Sequence, residues 1–203
     1  MVRGRRTRKT EEERRVQIKD AARKLFNIKG FDNVSTKEIA EEAGLSRALV
    51  YRYGASKTEI LEEIFRDMVR DQARLLHEMP RPEGSATERV MAYLARLFEC
   101  DFAEFELRRL VVLHSWTWSR EREIEFFILV GSIMDPISDA LRGIGIDRSI
   151  SDRVAIWAIY TEGLRQTMNR FSNEPAMDRP SLAQQAKSEF VDLVQPQIAR
   201  LLS

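Results

Sequence analysis

The sequence predicts an all-α protein of about nine helices. Helical hydrophobic periodicity runs through nearly all of its 203 residues, whereas no segment shows the alternation or the hairpin turns of β-structure. Capping boxes led by serine or threonine recur ahead of the apolar stripes. The clearest break, PRPEGS at 80–85, separates a first group of four helices from a second group of five.

Four helices are predicted before this break. The first carries an apolar stripe that ends at Phe26, and Gly44 closes the second, because glycine accepts the left-handed conformation that ends a helix. Ser46 can cap the third helix, and the fourth is predicted over residues 56–79. Three capping boxes mark the other starts: Thr10 with Glu13, Ser35 with Glu38, and Ser56 with Glu59.

Five helices are predicted after the break. Their apolar residues recur at helical spacing around 90–98, 105–113, 126–141, 154–171 and 182–202. Pro196 is expected to bend the last helix, because proline removes a backbone hydrogen bond and crowds the preceding turn.

Charge is distributed unevenly along the chain. The overall net charge is +1, but residues 1–60 hold 15 Lys/Arg against 9 Asp/Glu, and the remainder holds 18 against 23. The first nine residues contain five basic side chains and no acidic one. A basic end on an acidic body indicates a polyanion-binding module joined to a second domain. A solvated tail would account for the charge alone equally well.

Composition disfavours several classes of protein. The longest apolar run, Val154–Tyr160, is too short to span a membrane, and the basic N-terminus lacks the apolar segment of a secretory signal. The lone Cys100 is typical of a reducing cytosol, so a cytoplasmic protein is expected. His77 and His114 form no metal-binding or catalytic motif, and nothing else supports a dyad of Cys100 with His114. No enzyme activity, metal or cofactor is expected.

The second and third predicted helices have the spacing of a helix-turn-helix. Small Ala40 lies where the two helices would cross, and Gly44 lies in the turn, where a β-carbon would strain the backbone. Val50 follows six residues later and would anchor the third helix to the core. A helix pair inside an ordinary bundle would show the same spacing, so the residue types on the third helix decide between these interpretations.

The third helix carries polar and aromatic residues on the face opposite Val50. Arginine can contact guanine in the major groove, small apolar groups can meet thymine methyls, and tyrosine hydroxyls can reach phosphates. The starts of the second and fourth helices are suited to phosphate contacts. The residues assigned to these roles are Arg47, Ala48, Tyr51 and Arg52 on the third helix, Thr36 and Lys37 on the second, and Lys57 on the fourth.

Six short motifs follow one another between Gln17 and Leu61. They are Ala-Ala-x-x-Leu-Phe at 21–26, Gly-Phe at 30–31, Ser-Thr-x-x-Ile-Ala at 35–40, Ala-Gly-Leu-Ser at 43–46, Val-Tyr-x-Tyr at 50–53 and Ser-Lys at 56–57. With these motifs the segment resembles the DNA-binding domain of TetR-family transcriptional regulators. The rest of the chain matches that family only in its length and helical character.

The resemblance implies a set of DNA contacts. They come from Thr36, Lys37, Arg47, Ala48, Leu49, Tyr51, Tyr53 and Lys57. The chain departs from the family pattern twice: the family often has glycine in place of Ala48 and usually has phenylalanine in place of Gly54. That phenylalanine packs beneath the third helix. Either Tyr53 or a neighbouring ring therefore fills the space, or the helix orders fully only on DNA.

The resemblance also implies the organisation of the whole chain. Residues 1–57 would form a DNA-binding domain with a basic N-terminal arm, and residues 58–203 a ligand-binding and dimerisation domain, with helix 56–79 connecting the two. Such regulators are homodimers on near-palindromic operators in double-stranded DNA. The dimer surface is expected from apolar stripes on the last two helices, where small Gly163 would allow close approach. Stripes of this kind are otherwise more often core.

The middle helices are expected to enclose a pocket for a small apolar or aromatic effector. Tyr160 would provide a polar handle. Arg108 and Arg109 could pair with an acidic group, but a solvated face is the expected place for them. The candidate pocket residues are Phe98, Phe102, His114, Trp116, Trp118, Phe127, Met134, Trp157 and Tyr160.

The expected function is that of a repressor released from its operator when the effector binds. A ligand that tilts helix 56–79 would move the third helix with it. The alternative is an architectural DNA-binding protein that senses nothing, and a closed apolar cavity in the second domain would argue against that alternative.

Overall fold

The structure, a computed structural model, describes residues 10–53, 56–114, 120–141, 150–175 and 178–203. Within them it contains nine α-helices and no strand, which confirms the predicted fold class. The helices are α1 (Glu11–Lys29), α2 (Thr36–Glu42), α3 (Arg47–Arg52), α4 (Lys57–Glu78), α5 (Ala86–Ala103), α6 (Phe105–His114), α7 (Arg120–Leu141), α8 (Ile150–Phe171) and α9 (Arg179–Leu202). Among these described helices, none has the length and apolarity needed to cross a membrane.

The caps predicted at the starts of α1 to α4 are confirmed by their hydrogen bonds. Thr10, Ser35 and Ser56 each accept a bond from the backbone N–H three residues later, and the glutamate found there accepts one from the capping residue's own N–H. Ser46 accepts a bond from the Leu49 N–H at 3.2 Å and so caps α3. Further along the chain, α7 begins six residues ahead of its apolar stripe, because arginine and glutamate favour helix.

Two compact units make up the chain: an N-terminal unit of residues 1–67 and a C-terminal unit of residues 68–203. Their boundary falls inside α4, ten residues beyond the domain boundary predicted at 57/58. The functional assignment of each domain stays a prediction.

The turn between α2 and α3 is held from both sides. Ala40 is buried at 2% exposure, and Val50, at 0%, anchors α3 to the core as predicted. Gly44 has φ +64°, yet a β-carbon there would meet no atom within 4 Å. The glycine is therefore required by the backbone conformation rather than by space. The side-chain amide of Gln17 on α1 donates to the carbonyl oxygen of Ala43 and braces the turn.

In the C-terminal unit, α9 packs closely against α5 and α8. Gly163 on α8 leaves no room for a side chain, because an added β-carbon would overlap Val194 and lie 3.3 Å from the Phe190 ring. The close approach predicted at Gly163 is thus present, but between two helices of the same chain.

The apolar stripes expected to form a dimer surface are therefore largely part of the chain's own core. The stripe residues that are buried within this chain are Ile156, Tyr160, Leu164, Thr167, Met168 and Phe171 on α8, and Phe190, Val194 and Ile198 on α9. Helical periodicity identifies a buried face but not the partner that buries it. Trp157, Leu193 and Leu201 of these stripes are only half-buried, so a dimer contact on α8 and α9 would use such partly exposed residues or the fully exposed ones.

Candidate functional sites

The face of α3 opposite Val50 is open to solvent. Arg47, Ala48 and Arg52 are exposed, and Tyr51 is 50% exposed. Large polar and aromatic side chains on a helix of six residues contribute little to a core. The exposure predicted for these residues is present, and their role in reading DNA stays a prediction.

Arg47 and Tyr51 form a pair on this face. The guanidinium Nη2 donates to the Tyr51 hydroxyl at 3.2 Å, and the guanidinium carbon lies 5.4 Å from the centroid of the ring. Hydrogen bonds from Arg47 and then Thr36 lower the pKa of Tyr51. The start of α2 and the outer face of α3 therefore meet at one surface, with its side chains already oriented.

Glu38 fixes the start of α2. Its carboxylate accepts hydrogen bonds from Lys29 Nζ at 2.7 Å and from the backbone N–H and hydroxyl of Ser35 at 2.9 and 2.8 Å. These bonds, the one from Lys29 foremost, lower the pKa of Glu38 to about 2. The charged capping box therefore fixes the start of α2, where Thr36 lies next to Tyr51.

The two predicted phosphate-binding lysines have different surroundings. Lys37 is exposed, and its ammonium lies 3.7 Å from the carboxylate of Glu41 on the same helix. Lys57 Nζ donates to the carbonyl oxygen of Phe31 at 2.8 Å and lies 4.3 Å from the centroid of that ring. The ammonium of Lys57 is therefore bound within the N-terminal unit, and its contact with a phosphate stays a prediction.

Leu49 and Tyr53 are half-buried, unlike the rest of the predicted contact residues on α3. Tyr53 ends the helix, and its N–H donates to the carbonyl of Leu49 at 3.2 Å. Arg15 on α1 donates to the carbonyl of Tyr53 at 3.3 Å. Both residues are partly covered by the protein, and their DNA contacts stay predictions. Gly54, the main departure from the family pattern, lies outside the described residues.

Aromatic rings fill the core of the C-terminal unit. Phe98 stacks on Phe190 with centroids 4.5 Å apart and on Phe102 at 5.5 Å. Tyr160 meets Phe190 edge-on at 5.7 Å and lies 5.4 Å from Trp157. Four of the predicted pocket residues are thus brought into one cluster, where they pack against one another.

The remaining predicted pocket residues differ in their burial. Met134 is buried on α7. Phe127 is instead 58% exposed, because it lies on the outer face of α7 together with Ile124 and Ile128. This position does not support a pocket role for Phe127. The side chain of His114, along with Trp116 and Trp118, lies outside the described part of the chain.

A polar cluster lies within this aromatic core. Asp101 on α5, 1% exposed, accepts hydrogen bonds from the Tyr160 hydroxyl on α8 and from Gln72 Nε2 on α4, both at 2.6 Å. Arg108 Nε on α6 lies 3.5 Å from the same carboxylate. Burial first, and then the charge of Asp101, raise the pKa of Tyr160 well above its usual value. We call these four residues the Asp101 cluster.

This cluster corrects two expectations. Arg108 is 6% exposed rather than solvated, because it faces the buried carboxylate of Asp101, whereas Arg109 is exposed as expected and pairs with Glu106 at 3.3 Å. The Tyr160 hydroxyl, predicted to be a polar handle for a ligand, is bonded inside the protein.

Comparison with known proteins bears on both units. Residues 18–64, which run from α1 into α4, match the family described as bacterial regulatory proteins, tetR family. The HTH-type transcriptional regulator BetI of Agrobacterium fabrum is 32% identical over 120 residues, which make up 50% of this chain and 58% of that protein. BetI of Rhizobium meliloti is 31% identical over 148 residues, 64% of this chain and 70% of that protein.

The chain belongs to the TetR family. A solved TetR-family regulator from Streptomyces coelicolor shares its fold, with a TM-score of 0.64 and 21% identity over 96% of this chain and 90% of that one. The chain spans a little over half the length of the Agrobacterium relative.

Membership of the TetR family confirms the resemblance read from the motifs. The BetI relatives named above are transcriptional regulators, and proteins of the TetR family are regulators rather than enzymes. Regulators of this family bind DNA and small-molecule effectors and are dimeric.

Sequence reasoning missed three residues of this TetR-family chain: Arg15, Gln72 and Asp101. Two of them carry a signal. Asp101 shares a face of α5 with apolar positions 90, 94 and 97, and Gln72 falls in the apolar stripe of α4 between Met68 and Leu76. A polar residue in such a stripe indicates a buried hydrogen bond. Arg15 carries no comparable signal, because it precedes the buried stripe of α1, which begins at Ile18.

Proposed function

We propose that this regulator represses transcription by binding a near-palindromic operator as a two-fold dimer, and that a small apolar or aromatic effector releases it. The observation that supports DNA reading is the Arg47–Tyr51 pair, which α3 holds outward while Val50 anchors the helix from beneath. Such a helix can enter the major groove, where arginine contacts base edges and tyrosine contacts phosphate. In a dimer the two copies of α3 would lie roughly 34–36 Å apart, one turn of DNA.

Selection of bound duplexes from a random pool tests this proposal. The full chain should enrich one near-palindromic sequence, and its affinity should fall steeply with salt concentration because phosphate contacts release counterions. A chain that enriches no sequence would overturn the proposal.

Arg47→Ala then tests the reading face. It should weaken binding to the selected duplex by about 1–3 kcal/mol and relax the preference at one base position. The matched control is Arg74→Ala, which removes the same charge from an arginine that is 69% exposed and paired with Asp71 at 2.9 Å on α4. If both variants bind the selected duplex like the parent, α3 does not read DNA as proposed.

The dimer is proposed on the exposed faces of α8 and α9. Ala158 and Ala199 are small and exposed on these faces, so helices of a second copy could approach there. Ala158→Arg with Ala199→Arg should shift the mass measured by light scattering from dimer to monomer. An arginine at exposed Ala103, at the end of α5, should leave the dimer intact. A dimer that survives the paired change would place the contact elsewhere.

The effector response is proposed to act through α4. Gln72 of α4 donates to Asp101, so the helix that runs on from the N-terminal unit is bonded into the core of the C-terminal unit. An effector that inserts among the rings around Phe98 would disturb this bond and favour a state that fits the operator poorly. The coupling expected is on the order of 1–3 kcal/mol.

A panel of apolar and aromatic compounds tests the response. Compounds that raise the melting temperature of the protein should weaken its affinity for the selected duplex. If every compound that binds leaves that affinity unchanged, the chain binds DNA without sensing these ligands, as the architectural alternative requires.

A further inference from the structure

The C-terminal end of α3 is held by one arginine of α1. Arg15 Nη1 donates to the carbonyl oxygen of Tyr53 at 3.3 Å, and the guanidinium carbon lies 5.8 Å from the centroid of the Tyr53 ring. Tyr53 is the residue that caps α3. The side chain of Arg15 is 32% exposed, and its contact spans 38 residues of sequence.

Two carboxylates orient this guanidinium. Nη1 also lies 3.3 Å from Glu63 Oε1 on α4, and Nη2 lies 3.3 Å from Glu11 Oε1 one turn earlier on α1. The planar fork of arginine can satisfy both carboxylates and the Tyr53 carbonyl together, whereas the single ammonium of a lysine holds fewer fixed directions. A positive charge at a helix C-terminus is also electrostatically favourable.

Such support matters because α3 has only six residues and is too short to be stable alone. Ser46 caps its start, and Val50 packs beneath its middle. Arg15 supplies the third point of attachment, at the end that follows Tyr51. Without it, the last turn of α3 would be free to fray, and the direction of the Arg47–Tyr51 pair would vary.

We propose that Arg15 is a positioning residue for DNA reading, which fixes the end of α3 so that the Arg47–Tyr51 pair keeps a constant register against the bases. This inference rests on the proposed reading of DNA by α3. Arg15 acts through Tyr53 and not by touching DNA, so its loss should reduce discrimination between sequences more than general affinity for DNA.

The chain offers a matched control on the same helix. Lys19 lies one turn after Arg15 and pairs with Asp67 of α4 at 2.5 Å, so it also joins α1 to α4. Within the described residues, this ion pair does not involve α3. Lys19→Ala should lower the melting temperature and leave sequence discrimination unchanged. Arg15→Ala should reduce discrimination as well.

The test measures the affinity of each variant for the selected duplex and for a scrambled duplex over a range of salt. For Arg15→Ala, the ratio of the two affinities should fall roughly tenfold, the loss expected when one base contact is misplaced, with the salt dependence unchanged. Arg15→Lys should keep part of the ratio. Glu63→Gln, which retains Arg15 but loosens its orientation, should reduce the ratio less and remains informative if Arg15→Ala fails to fold.

Three results would overturn the inference. Equal ratios for Arg15→Ala and Lys19→Ala would give Arg15 a purely structural role. A fall in affinity for both duplexes, with the salt slope reduced by about one, would make Arg15 a direct phosphate contact. If the parent prefers the selected duplex and Arg15→Ala has the same affinity ratio as the parent, the inference alone is refuted. If the parent itself binds both duplexes equally well, the proposed function is refuted first.

Discussion

The notable polar side chains lie on the surface in the N-terminal unit and inside the core in the C-terminal unit. In the N-terminal unit the Arg47–Tyr51 pair lies on the outer face of a short helix, above a core sealed by Val50. In the C-terminal unit the Asp101 cluster lies inside the core, where its Tyr160 ring meets Phe190 edge-on. A residue on the first surface can change what the protein binds without changing its stability. A residue of the second cluster affects both, because the groups that could respond to a ligand also hold four helices together.

The largest effect is expected from the aromatic core. Phe190 is fully buried against Phe98 and Tyr160, so Phe190→Ala should lower the free energy of unfolding by about 3–5 kcal/mol. Phe127, 58% exposed on α7, provides the control. Phe127→Ala should change the free energy by less than about 0.5 kcal/mol. Chemical denaturation measures both, and equal losses would mean that the burial assigned to these rings is wrong.

Each unit contains one tyrosine hydroxyl whose removal separates stability from DNA binding. Tyr160→Phe deletes the buried bond to Asp101 and should cost about 1.5–3 kcal/mol in the free energy of unfolding, as expected for a hydrogen bond to a charged group. Tyr51→Phe deletes an exposed bond to Arg47. It should leave the thermal midpoint close to that of the parent and weaken binding to the selected duplex. A large loss of stability in Tyr51→Phe would break the distinction between the two units.

Two glycines of the C-terminal unit should respond with opposite signs. Gly163→Ala forces a methyl group against Val194 and Phe190 and should destabilise the protein by about 1–3 kcal/mol. Gly131 lies in α7 with nothing within 4 Å of an added β-carbon. Gly131→Ala should stabilise the protein by about 0.5–1 kcal/mol, because alanine is the better helix former. Thermal denaturation of the two variants decides the point, since matching shifts would contradict the close approach of α8 and α9.

The smallest effect is expected from acid titration of an exposed carboxylate. Bonds from Lys29 and Ser35 lower the pKa of Glu38 from 4.5 to about 2 in the folded chain. Because the folded pKa lies below the unfolded value, Glu38 stabilises the fold above pH 4.5, and this contribution is lost as the pH falls towards 2. Glu38→Gln should therefore flatten the fall of the thermal midpoint over that range. A variant that keeps the parent's slope would show that the contacts of Glu38 do not favour its charged form.

Local signals explain why the N-terminal unit could be predicted from the sequence in detail. Capping boxes and the positive φ of Gly44 depend on residues within a few positions of one another. In the C-terminal unit the sequence predicted the helices but not which of them pack against one another. Helical period predicted that the stripe through Leu164 is buried, and it could not tell whether α9 or a second copy of the chain buries it.

Two further features of the candidate sites lay beyond sequence reasoning. The contact of Arg15 with Tyr53 depends on how α1 and α3 pack, and that packing leaves no mark on the neighbours of either residue. The outward position of Phe127 depends on which side of α7 faces the core, and both sides of that helix carry apolar residues. By contrast, Asp101 in an apolar stripe was a visible signal that could have been followed.

Trp157, next to the Asp101 cluster, gives the protein an intrinsic fluorescent probe of that cluster. The indole of Trp157 lies 5.4 Å from the ring of Tyr160, whose hydroxyl is bonded to the buried carboxylate. Indole emission responds to the polarity and charge around the ring. The chain has three tryptophans, so replacing Trp116 and Trp118 with phenylalanine would leave Trp157 as the only indole, which can be excited selectively over the tyrosines. Its emission maximum would then report, in real time and without an added dye, on rearrangement of the bonds that join α4, α5 and α8.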